Sequence, residues 1–64
     1  MNTITHTSTN DNVTIVNTDI GEIFYIVNEE LFGYVVYDSP VFSGFTRIAR
    51  CATYEGAMSF IINY

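Results

Sequence analysis

The chain has no lysine, a single cysteine, a single histidine and a single proline among its 64 residues, and two arginines stand against seven carboxylates. Each shortage excludes something. A net charge of −5 opposes direct binding to a nucleic-acid backbone, which takes Lys and Arg to displace counterions. It equally opposes docking on an anionic membrane. Cys51 has no second cysteine to pair with, so no disulfide forms within the chain, and one odd thiol suits a reducing compartment. One cysteine and one histidine are too few ligands for a structural zinc site, which takes four. No apolar run approaches the ~20 residues of a membrane-spanning helix. The opening stretch MNTITHTSTND lacks the basic region and apolar run of a signal peptide. Together these features predict a cytoplasmic protein with no cofactor, no metal and no membrane contact, and they support an enzyme least of all classes.

Aromatic side chains are plentiful, with five Phe and five Tyr. A domain of this length buries only about 60% of the surface its unfolded chain exposes, so it needs dense packing or self-association. Ten aromatics are also more than so small a fold hides easily, and exposed Tyr and Phe are common in contact surfaces.

The stretch Glu22–Asp38, EIFYIVNEELFGYVVYD, organises the rest. Ile23–Val27 and Phe32–Tyr37 are rich in strand-forming residues, and Asn28, Glu29 and Glu30 between them suit a turn. The pattern predicts a hairpin. Along the first strand Ile23, Tyr25 and Val27 share one face and Phe24 and Ile26 the other. Along the second, Phe32, Tyr34 and Val36 lie opposite Val35 and Tyr37. Both faces are apolar, whereas a sheet with one wet side alternates more cleanly. A helix can cover one face. The other calls for the N-terminal segment, a second copy or a partner.

Residues 1–10 read either as a flexible leader or as an edge strand, because they are rich in Thr but poor in apolar side chains. Val13–Asn17 reads as a strand and Asp19-Ile20-Gly21 as a turn. Asp38-Ser39-Pro40 ends the second hairpin strand, since proline cannot donate to a sheet ladder. VFSGFTRIARCA predicts a third strand, with Gly44 marking a bulge or bend. On a regular strand Arg47 and Arg50 point to opposite faces and make no basic patch. Thr53 is a good helix N-cap and Glu55 a favourable first-turn carboxylate. In Tyr54–Tyr64 a helical stripe of Ala57, Phe60, Ile61 and Tyr64 follows. The expected architecture is a single α+β domain over residues 1–64: a small antiparallel sheet of three to five strands with one C-terminal helix packed on one face.

No constellation for catalysis stands out. His6 lies in a polar Thr-rich segment without the orienting carboxylate and nucleophile that catalysis wants. Cys51 follows Arg50 and precedes the helix, an arrangement that can activate a thiol, but a small buried apolar side chain on the third strand is the favoured reading. Glu29 and Glu30 are too few oxygens for a divalent cation. With Glu22, Asp19 and Asp38 they suggest an acidic patch. The candidate partner-binding residues are therefore Glu22, Glu29, Glu30, Tyr34, Tyr37 and Asp38. They point to a small acidic module that binds a protein partner of basic character. One form would be an inhibitor, of the size and charge that phages and mobile elements encode, occupying a surface of a host nucleic-acid enzyme such as a nuclease, a restriction enzyme or a CRISPR effector. The alternative is a structural homodimer joined through the second apolar face. A sheet-based nucleic-acid binder comes a distant third.

Overall fold

The computed structural model describes residues 1–38 and 47–64. The turn expected at Ser39-Pro40, the bulge expected at Gly44 and the strand positions before Arg47 lie outside them. Five antiparallel strands succeed one another in space as they do in sequence: β1 (Ile4–Asn10), β2 (Val13–Thr18), β3 (Ile23–Glu29), β4 (Gly33–Tyr37) and β5 (Arg47–Cys51). The helix α1 (Tyr54–Ile62) packs against β4 and β5. This is the α+β sheet-and-helix arrangement that the sequence predicts.

Local chemistry sets the turns. Asp11 turns the β1–β2 hairpin with φ 58°, a left-handed conformation that Asp tolerates better than most residues. Between β2 and β3 the Thr18 hydroxyl donates to the Glu22 carbonyl at 3.0 Å and accepts from the Glu22 N–H at 3.1 Å. The central hairpin departs from expectation. β3 runs on to Glu29, the Phe32 N–H donates to the Glu29 carbonyl at 2.9 Å, and the turn is Glu30-Leu31-Phe32 rather than Asn28-Glu29-Glu30. Gly33, with φ 82°, closes it. Phe32 therefore belongs to the turn and not to the strand.

Strand register sorts the side chains into two faces. Val16 pairs with Phe24, Thr14 with Ile26, Ile26 with Val36, Val36 with Ala49 and Tyr34 with Cys51. These residues face the helix. Val16, Phe24, Ile26 and Val36 form the core with Ala57 and Ile61, all six buried. Each large side chain so buried contributes roughly 1.5–3 kcal/mol. Phe60 is half-buried against this core, as is Tyr54, which lies off the expected helical stripe. Tyr64 lies past the helix and is exposed, yet its ring stands edge-on to Phe24 at 5.5 Å.

The helix ends are satisfied from two directions. At its start Thr53 Oγ1 accepts from the Gly56 N–H at 3.0 Å, the N-cap role its residue type suits. At its end buried Asn2 supplies two donors: its backbone N–H to the Ile62 carbonyl at 2.7 Å and its Nδ2 to the Ile61 carbonyl at 2.8 Å. The N-terminal segment thus ties the first strand to the last turn of the helix.

Candidate functional site

Six residues were expected to meet a partner, and the structure separates them. The strands run between two ends of the sheet. Glu22 and Asp38 lie at one end, where they line a shallow hollow with Ile23, Phe24 and Tyr64. Asp19 sits nearby, with its N–H donating to the Thr3 carbonyl and its side chain accepting from the Thr3 N–H. Glu29 and Glu30 lie at the other end, about seven strand residues from Glu22, or roughly 23 Å at strand rise. The carboxylates form no single patch.

Neither tyrosine is a freely exposed contact. Tyr34 faces the helix and meets Tyr54 edge-on, with ring centroids 6.0 Å apart. Tyr37 is buried, on the face away from the helix. Its hydroxyl donates to Glu29 Oε2 at 3.2 Å. Tyr37 pairs with Tyr25, Glu29 pairs with Gly33, and the Val27–Val35 pair lies between them on the same face. The Tyr37 ring must therefore lie along the sheet across that pair, and Val35 beneath it is buried. Burial pushes the Tyr37 phenol above its ordinary value of 10.0, and the hydrogen bond to Glu29 and that carboxylate's charge push the same way, against a smaller opposing effect of Arg47. The second apolar face is thus partly covered by the chain itself. It stays open at Ile15 and Ile23, which are exposed.

A second correction concerns the arginines. The β4–β5 register slips between Val36 and Tyr37, so Tyr37 faces Arg47, Val36 faces Ala49 and Val35 faces Arg50. Ile48 is the extra residue of the bulge, and it packs against the core. Tyr37 and Val35 share a face, so the bulge brings Arg47 and Arg50 onto that face together, where a regular strand would have opposed them.

Two exposed apolar residues adjoin at the hairpin tip, at a place that strand patterning misassigned. Leu31 is 89% exposed and Phe32 55% exposed, side by side in a turn that ordinarily takes polar residues. They rim a hollow with Asn12, Asn28, Glu29 and Glu30. Asn12 braces the tip from the neighbouring turn: its carbonyl accepts from the Asn28 N–H at 2.8 Å, and its Nδ2 donates to the Asn28 carbonyl at 3.2 Å. Asp11 and the helix start, with Glu55 in its first turn, stand at the same end. An apolar knob in an acidic setting is the result. Gly33 is the signal that could have located it, because a glycine there shifts the turn forward onto Leu31 and Phe32.

His6 is exposed on β1, opposite Asn17. Cys51 is half-buried against the core. Among the described residues no group of three or more His, Cys, Asp or Glu side chains could hold a metal ion, and no helix is long and apolar enough to cross a membrane. No family model, curated protein or solved structure matches the chain.

Proposed function

We propose that this chain is a small acidic protein-binding module whose principal contact is the tip of the β3–β4 hairpin. The observation that carries the reading is the exposed Leu31–Phe32 pair, fixed on a braced turn and flanked by Glu29 and Glu30. Apolar anchors on rigid supports supply most of the free energy at protein interfaces, and surrounding charges steer association and select the partner. The complementary partner surface is an apolar pocket with a basic rim. A net charge of −5 favours a basic nucleic-acid enzyme as the owner of that pocket, with the module acting by occupation rather than by catalysis. A phage- or mobile-element-borne inhibitor of a host nuclease, restriction enzyme or CRISPR effector fits that description in size and charge.

One observation favours direct nucleic-acid contact through the sheet: Arg47 and Arg50 share its outer face. Two cations against seven carboxylates leave that reading well behind.

The test begins with capture of the partner on the immobilised protein from a lysate of the source cell or its host, eluted with rising salt and identified by mass spectrometry. The purified partner is then titrated with wild type and with the Leu31→Ser/Phe32→Ser variant. The variant is expected to bind at least about tenfold more weakly, a loss of roughly 1.4 kcal/mol or more. Glu30→Gln is expected mainly to slow association and reduce its salt dependence. Equal affinity of the double variant and wild type overturns the assignment of the tip.

A further inference from the structure

A strand at a sheet edge presents a row of unpaired backbone N–H and C=O groups, and soluble proteins guard such rows with charges, prolines, bulges or a covering element. Among the described residues β1 is an edge of this sheet. Its guard is confined to one end, a bulge at Thr5 between the Ile4–Thr18 and His6–Asn17 pairs. From His6 to Asn10 the register against β2 is regular and every residue is exposed. That stretch, HTSTN, contains no carboxylate, lysine, arginine or proline. All seven negative charges of the chain lie elsewhere, so two copies can approach along this edge without setting carboxylates opposite one another.

We propose that the β1 edge pairs with the β1 edge of a second copy, antiparallel about a two-fold axis through Ser8, joining two five-stranded sheets into one of ten strands. With Ser8 facing its own symmetry mate, Thr7 of one copy stands opposite Thr9 of the other, and His6 stands opposite Asn10. Threonine is a strong strand former, and Thr–Thr pairs across antiparallel strands favour pairing. An edge that pairs with itself in this way is isologous and closes as a dimer. Thr7 and Thr9 lie on the helix side of the sheet, since they pair with Val16 and Thr14. They are exposed all the same, so the helix leaves the seam accessible. The edge is separate from the hairpin tip, and the two contacts stand or fall independently.

Sedimentation equilibrium of the full chain, from micromolar to millimolar concentration, tests the seam. The wild-type mass is expected to climb from 7.2 kDa toward twice that value. Ser8→Glu and Ser8→Lys each set like charges face to face across the axis, and each is expected to weaken association by about tenfold or more. An equimolar mixture of the two variants is expected to recover it. Circular dichroism confirms that each variant folds, as the exposure of Ser8 leads one to expect. Leu31→Ser/Phe32→Ser and Ile23→Lys are expected to leave the dimer intact. A wild type that stays monomeric throughout, a Ser8→Glu variant that associates undiminished, a mixture no better than its components, or a dimer abolished by Ile23→Lys would each overturn the proposal.

Discussion

At the scale of single residues, Gly33 and Tyr37 do most to shape the hairpin. Gly33 is held from two sides. Its φ of 82° is a conformation that L side chains rarely adopt, and a Cβ there would lie 2.6 Å from the Cys51 carbonyl oxygen. That oxygen is backbone and cannot swing aside. Gly33→Ala is expected to cost ~1–3 kcal/mol, a large share of the roughly 3–10 kcal/mol available to a domain of this length. A lowered urea midpoint measures it, and an unchanged midpoint would show that the turn relaxes freely. Tyr37 makes a pH prediction. Its folded pKa is raised, so the protonated phenol is favoured by folding. The associated stability is fully present below the unfolded value of about 10 and is lost as pH climbs from there through the folded value. Denaturant midpoints are therefore expected to fall above pH ~10, and Tyr37→Phe is expected to flatten that decline. An identical slope in the variant would mean that other groups cause it.

At the scale of elements, the segments with strong periodicity were legible in the sequence and those shaped by tertiary contacts were not. β2, β3 and α1 announce themselves through alternation or a helical stripe, and Thr53 takes the capping role its residue type suits. Residues 1–10 were ambiguous because Thr-rich sequence carries no apolar period. What orders them is remote: β1 pairs with β2, and Asn2 bonds to the end of a helix some sixty residues away. The facing of Arg47 and Arg50 was misread because a bulge at Ile48 breaks the alternation that strand reasoning assumes. The hairpin tip was misplaced because Phe32 looks like a strand residue, and only its position before Gly33 says otherwise. Helix α1 has no basic residue in its last turn; Asn63 caps it locally at the Ser59 carbonyl, and Asn2 is its long-range support at the Ile61 and Ile62 carbonyls. Asn2→Ala removes a buried donor to the Ile61 carbonyl and is expected to destabilise by about 1–2 kcal/mol. Hydrogen exchange would report it as faster exchange of the amides of the last helical turn. Loss of protection spread evenly over the chain, or none at all, would deny the tie its local role.

At the scale of the whole molecule, charge and apolar surface are arranged by position along the strands. Glu22 and Asp38 mark one end and Glu29 and Glu30 the other, while the core lies between sheet and helix. The uncharged β1 edge and the acidic, apolar-tipped hairpin are two separate surfaces, and we propose the first for a second copy of the chain and the second for a basic partner. The six residues expected to bind were chosen for their type, and the structure spreads them over both ends of the sheet: Tyr34 and Tyr37 are drawn into packing, while among the described aromatic residues Phe32 in the turn and Tyr64 past the helix are exposed. The central claim is that partner affinity resides in Leu31 and Phe32. Its most direct test is calorimetric titration of the captured partner with wild type and with Leu31→Ser/Phe32→Ser, both shown by circular dichroism to be folded. Binding at least about tenfold weaker for the variant, with unchanged stoichiometry for wild type, is the expected result. Equal affinity of the two proteins would contradict the account and send the search for the contact to the exposed Ile15–Ile23 side of the sheet.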